Sequence, residues 1–231
     1  MTTWAWFSGS TTPPRATMFA ISSGVRPGSP IGSAAAPRRC SSPATSTPSG
    51  GWLPFPAGAE LDLPLLTETV AGWERPVTVA TGALQAGIEG FVRTHRQAVQ
   101  AQIVALAAGI PGPRVVPIKD VGAVALMCEN LDATREWVHE VLGALAADDP
   151  AAAQCRDTVR VFLSTGSSYT ATVTALNMHK NSVAYRIHKA EDKLGRKVHV
   201  RRLDPENALA LCHWLGPAVL CSASDQRVPH S

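Results

Sequence analysis

Ser168–Leu194 reads SYTATVTALNMHKNSVAYRIHKAEDKL, and its apolar spacing predicts two helices joined by a tight corner. The first is short, Thr170 to Leu176, with Ser168 or Thr170 placed to cap a free backbone N–H of the first turn. Val173 and Leu176 share a face three residues apart. Asn177 breaks the pattern, and asparagine enters the left-handed backbone region more cheaply than most non-glycine residues. Met178 follows as a plug for the inside of the corner. The second helix restarts near His179 or Lys180. Val183, Ile187, Ala190 and Leu194 form one narrow apolar stripe along it, and Asn181, Tyr185, His188 and Asp192 lie roughly opposite.

A helix that buries one side and offers hydrogen-bonding groups on the other, behind a tight corner, has the geometry of a helix-turn-helix reader. Asn181, Ser182 and Tyr185 are expected to face bases; Lys180, Arg186, Lys189 and Lys193 are expected to hold phosphates or the groove edge. From Lys180 to Arg202 the basic residues are Lys180, Arg186, Lys189, Lys193, Arg196, Lys197, Arg201 and Arg202, against only Glu191 and Asp192. Such a local excess suits counterion release from double-stranded DNA. The blander alternative is a solvated amphipathic helix in an ordinary bundle.

The run TALNMHKNSVAYRIHKAEDKLGRKV resembles the C-terminal helix-turn-helix of PucR-type bacterial regulators, which include the sugar-diacid (CdaR-like) regulators. The resemblance is carried by Leu176, His179-Lys180-Asn181-Ser182-Val183, Tyr185-Arg186, Glu191 and Leu194-Gly195, with Asp204-Pro205-Glu206-Asn207 opening a closing helix. Val173 stands where a small alanine is usual, and Ser167-Ser168-Tyr169 lacks the usual Gly-Asn flavour. The stretches VTVATGALQAGIEGFVRTHRQAV and RVVPIKDVGAVALMCEN resemble the later part of the GGDEF-like domain that precedes the reader in this family. The chain holds no Gly-Gly-Asp/Glu-Glu-Phe run, so the resemblance implies a truncated, non-catalytic remnant that leaves a sheet edge or apolar face uncovered.

The resulting expectation is a mainly α protein. Residues 1–60 form a disordered Pro/Ser/Gly-rich segment, because no period survives the prolines and little apolar surface offsets the ordering entropy. Trp4, Trp6, Phe7 and Trp52 are odd in such a segment. Residues 61–147 form the partial α/β GGDEF-like region. It comprises a helix from Leu63 to Val70, a strand over Val77–Ala80, and a long helix from Ile88 to Ala108 ending at Gly109. Ile88, Phe91, Val92, Ala98, Val99, Ile103 and Leu106 mark that helix's apolar period. An edge strand over Val115–Ile118 follows, then helices over Val121–Cys128 and from Asp132 or Thr134 to about Ala147. Asp148-Asp149-Pro150 marks a boundary. Residues 151–216 form the helix-turn-helix domain, with a supporting helix Ala151–Leu163 and a last helix capped by Asp204 with Pro205 at its first position. Residues 217–231 are a tail.

The net charge of +3 is modest, so the basic character is local. The odd, scattered cysteines (Cys40, Cys128, Cys155, Cys212, Cys221) make neither a Cys-x-x-Cys pair nor a disulfide framework, which points to a reducing cytoplasm. No apolar run approaches the roughly 20 residues of a membrane helix. Phosphate-loop, dinucleotide and nucleophile-elbow motifs are missing. Glu136 and His139 make a single Glu-x-x-His, and a two-metal site wants two such pairs. The expectation is therefore not an enzyme. It is a sequence-specific transcriptional regulator without cofactor or metal, forming a homodimer on DNA, with its small-molecule effector unassigned. The rival is a dimerisation or protein-interaction fragment that does not bind DNA.

Overall fold

Local chemistry explains most boundaries. Asp62 opens α1 (Leu63–Ala71) by accepting the Leu65 N–H at 2.9 Å. Gly109 closes the long helix α2 (Gly87–Ala108) at φ 59°, a left-handed conformation that suits glycine. The computed structural model describes residues 3–10, 49–56, 58–73, 77–110 and 112–220. It divides into two compact units, Met1–Ala125 and Leu126–Ser231.

The first unit is built on a sheet. Strands β1 (Thr3–Ser10), β2 (Ser49–Phe55), β3 (Thr78–Thr81), β4 (Gln85–Ala86) and β5 (Arg114–Pro117) run in the order β2-β1-β3-β5, with β4 paired to β1. β1 is antiparallel to β2 (Trp6 opposite Trp52) and to β3 (Phe7 opposite Thr81), whereas β3 and β5 are parallel. Parallel neighbours need a crossover, and α2 supplies it. Leu66 and Val70 of α1 pack with Val79 of β3, and Val115 of β5 joins them.

Two expectations need correcting here. Thr3–Ser10 and Ser49–Phe55 are strands, so residues 1–60 are not uniformly without structure, and β1 pairs with β3. Strand formation depends on the partner as much as on the segment itself, and these partners lie far apart in sequence. The remainder of the expected disordered segment, residues 11–48, lies outside the described residues, as do Cys40, Cys221 and the tail beyond Leu220. The second correction concerns α2. Its inward residues are small: Gly90, Thr94, Ala98, Ala101, Val104 and Ala108. The larger Ile88 (87% exposed), Val92, Ile103 and Leu106 face outward. The helix lies too close to the sheet for bulk. A Cβ on Gly82 would sit 2.2 Å from the Thr94 carbonyl oxygen. Trp52 of β2 covers one flank, stacked on Phe91 with ring centroids 3.4 Å apart.

β5 ends at Pro117 and lies at the end of the strand order, as a proline there demands. Helix α3 (Ile118–Met127) leads out of this unit.

The second unit is helical, with α4 (Leu131–Leu142), α5 (Pro150–Ser164), α6 (Tyr169–Leu176), α7 (Lys180–Leu194) and α8 (Leu203–Leu215). Asn130 caps α4 through the Ala133 N–H, and Asp149 caps α5 through the Ala152 N–H at 2.8 Å. α5 packs against α6, α7 and α8, and α4 packs against α8. The unit begins at Leu126, ahead of the expected boundary at Asp148–Pro150, because Val138, Leu142 and Leu145 are fully buried in it. Among the described residues no helix is long and apolar enough to cross a membrane.

Candidate nucleic-acid interface

The corner begins where α5 stops. Gly166 and Ser167 take successive left-handed conformations (φ 69° and 62°), and the chain turns back. Ser168 then caps α6, its hydroxyl accepting the Ala171 N–H at 3.3 Å. Thr170, the other candidate cap, lies inside the helix. Tyr169 lies on Phe162 of α5 with ring centroids 4.9 Å apart. α6 is anchored by Thr172, which is fully buried. Its hydroxyl donates to the Ser168 carbonyl at 2.7 Å and lies 3.0 Å from the Thr165 hydroxyl. Val173, which stands where a small alanine is usual, is only partly buried. A threonine looks polar in a pattern search; what hides it is that both of its hydrogen-bonding capacities are met locally.

Asn177 closes α6 at φ 48°, ψ 49°, the left-handed corner expected of it. The Met178 N–H bonds back to the Val173 carbonyl at 3.2 Å. His179 is the last extended residue, and its carbonyl accepts the first N–H bonds of α7 from Ser182 and Val183. Val183, Ile187 and Ala190 form the buried stripe of α7. Leu194, expected to extend it, is only partly buried at the helix end, and Gly195 terminates the helix at φ 65°.

The outer face of α7 carries the residues singled out in the sequence. Lys180, Asn181 and Ser182 are exposed in its first turn, and Tyr185 is 65% exposed one turn on. Lys189 lies against Tyr185, its ammonium 5.9 Å from the ring centroid. Arg186 is turned partly inward and donates to Met178 Sδ at 3.4 Å, which ties the corner to the helix. Lys193 reaches the Ala144 carbonyl at 3.4 Å. The structure thus gathers all seven candidates on one helix, with Arg186 and Lys193 at its margins.

Charge in this region is unevenly spent. Glu191, largely buried, accepts Lys197 Nζ at 2.8 Å and faces His188 Nδ1 at 3.5 Å; it also accepts the Val198 N–H. The hydrogen bond that Lys197 donates to the Glu191 carboxylate holds its ammonium above the usual lysine pKa. Arg201 pairs with Asp204 at 2.9 Å and Arg202 with Glu206 at 2.8 Å, while Arg202 also donates to the Leu163 carbonyl. These cations hold the Gly195–Arg202 segment in place. By contrast, Lys180, Arg186, Lys189, Lys193 and Arg196 make no ion pair among the described residues. Positive charge outside ion pairs is therefore concentrated along α7 and its C-terminal end, with Asp149 near enough to Lys193 for its carboxyl to feel that charge. Sequence counting registered the density but not this partition, because the neutralising Asp204 and Glu206 lie just beyond the window counted.

The last helix differs in detail from expectation. α8 starts at Leu203 with Arg202 at its cap position, so Asp204 lies in the first turn, paired to Arg201, instead of capping. Pro205 consequently occupies the third helical position, still among those whose N–H needs no intrahelical partner. Among the described residues, no group of His, Cys, Asp and Glu is arranged to hold a metal ion.

This corner, its supporting helix and the first part of α8 coincide with a known domain. Residues 155–211 match the PucR C-terminal helix-turn-helix domain family. An uncharacterized protein in the pkwA 5′ region of Thermomonospora curvata is 34% identical over 80 residues, covering 35% of this chain and 42% of that protein. The chain therefore matches about two fifths of that relative's length. The crystal structure of a regulator of polyketide synthase expression from Bifidobacterium adolescentis is 21% identical. It covers 74% of this chain and 67% of its own, with a TM-score of 0.29.

Proposed function

We propose that the protein is a sequence-specific, DNA-binding transcriptional regulator of the PucR/CdaR-like type that reads the major groove with α7. One observation carries the reading: within the residues that match the PucR helix-turn-helix family, the exposed side of α7 combines Asn181, Ser182 and Tyr185 with lysines that make no ion pair among the described residues. Asparagine suits a bidentate contact to adenine, and the flanking lysines suit phosphates. The protein acts as a homodimer on a two-fold operator, in the cytoplasm, and performs no catalysis. Its first unit is a partial, non-catalytic GGDEF-like region.

The test is fluorescence anisotropy of the full chain. It is titrated against DNA from upstream of its own gene and against a scrambled duplex, at several salt concentrations. Tighter binding to the upstream DNA with a steep salt slope is expected; absence of salt-dependent binding to either would sink the reading. A second reading, a self-associating fragment without DNA affinity, is favoured by the apolar outer stripe of α2. It predicts salt-insensitive self-association and flat anisotropy on both duplexes.

A further inference from the structure

Between α5 and α8 runs a cleft of about 190 Å³. Arg156, Asp157 and Arg160 line one wall; Leu209, Cys212 and His213 line the other. The α5 residues recur at helical spacing, so their side chains converge on the same groove. The volume exceeds that of a single water several-fold and admits a small ion with part of its hydration shell.

Two features of the cleft are unusual. Arg156 is 7% exposed, yet among the described residues it has no carboxylate partner. Its Nη1 donates to the carbonyls of Leu145 at 2.8 Å and Ala147 at 2.6 Å, which orient the guanidinium without neutralising it. Buried charge without a counter-charge is costly. Asp149 feels Arg156 only weakly, as the least of the influences on its carboxyl. Cys212 supplies no negative charge either, since burial pushes its thiol up to about 11. Independently, Arg160 Nε is buried with no hydrogen-bond partner. That Nε is closed to solvent, so an ion in the cleft would meet the outer end of the Arg160 guanidinium. Asp157, exposed at the rim, opposes an anion and limits how much negative charge the cleft accepts.

We propose that this cleft binds a small oxyanion, a phosphate or carboxylate group, with Arg160 as its hydrogen-bond donor and Arg156 as the buried positive charge behind it. Guanidinium donors match both oxyanions in geometry. Because α5 also packs against α6 and α7, an anion bridging α5 to α8 braces the frame on which the helix-turn-helix rests. The inference stands independently of whether α7 reads DNA.

The test is thermal unfolding of the full chain at fixed pH and ionic strength, titrated with inorganic phosphate, sodium acetate or sodium chloride. A saturable rise in Tm with phosphate, acetate or both, but not with chloride, is expected; which of the two acts identifies the group. Arg160→Gln should weaken the apparent affinity about tenfold, and Asp157→Asn should tighten it about threefold by removing the opposing charge. An equal rise for all three salts, no rise at all, or an affinity untouched by Arg160→Gln would overturn the proposal. Should Arg160→Gln not fold, Asp157→Asn decides alone: an unchanged affinity there overturns it equally.

Discussion

Asn181 and Lys189 lie two turns apart on the outer side of α7, and they should fail differently. On the proposed reading, in which Asn181 contacts a base, Asn181→Ala should cost roughly 1–3 kcal/mol at the cognate site and relax specificity. Unchanged discrimination between cognate and scrambled DNA would count against that role. Lys189→Ala should weaken all DNA alike and reduce the salt slope by about one; a loss confined to the cognate site would make it a base contact. Thr172 acts on the fold instead. Thr172→Val leaves the Ser168 carbonyl without its side-chain donor and should cost about 1–2 kcal/mol, read from urea unfolding. Cys212 gives a pH signature. Burial raises its thiol to about 11 from an ordinary 9.0, so the folded state favours the protonated form. That contribution is complete below pH 9 and is lost as pH rises through 11. At about 1.4 kcal/mol per pH unit it amounts to about 2–3 kcal/mol. Between pH 8 and 11 the protein should therefore lose more stability than its Cys212→Ala variant, and parallel losses would refute the assignment.

Among elements, α2 offers the sharpest contrast between position and bulk. Ala98 is fully buried against the sheet, so Ala98→Leu should overpack and destabilise by about 1–3 kcal/mol. Ile88→Lys, on the open face, should change stability by less than about 0.5 kcal/mol. Denaturant midpoints of the two variants check the orientation, and the reverse order would mean that the large residues face inward. This element also marks what the sequence makes legible. Apolar periodicity located α2 to within a residue, but it did not say that the small side of the helix is the buried one. That depends on the close approach of Gly82 to the Thr94 carbonyl. The corner of α6 and α7 was readable because each boundary has a cause within a few residues: the Ser168 cap, the left-handed Asn177, the terminating Gly195. β1 and β2 were not, since Trp6 finds Trp52 only across a long stretch of chain. Arg156 was missed for a related reason, as the carbonyls that hold it belong to a different element.

For the whole molecule, the question is how much chain the reader needs. The matched domain starts at residue 155, and Asp148-Asp149-Pro150 looks like a natural border in the sequence. The compact unit nevertheless starts at Leu126. Val138 and Leu142 of α4, with Leu145 just after it, are fully buried, and Arg135 donates to the Ala218 carbonyl at 3.1 Å. Burying a side chain of that size contributes about 1.5–3 kcal/mol, so three of them approach the whole net stability of a small domain, about 5–15 kcal/mol. Arg156 would also lose its carbonyl partners at Leu145 and Ala147, leaving its buried charge without hydrogen bonds. A fragment of residues 126–220 should therefore unfold cooperatively and retain salt-dependent DNA binding. A fragment of residues 150–220 should be largely unfolded by circular dichroism at 25 °C and bind DNA weakly, without sequence preference. Equal helicity and equal operator affinity in the two fragments would mean that α4 is an accessory, and that the α5–α8 core alone holds α7 in place.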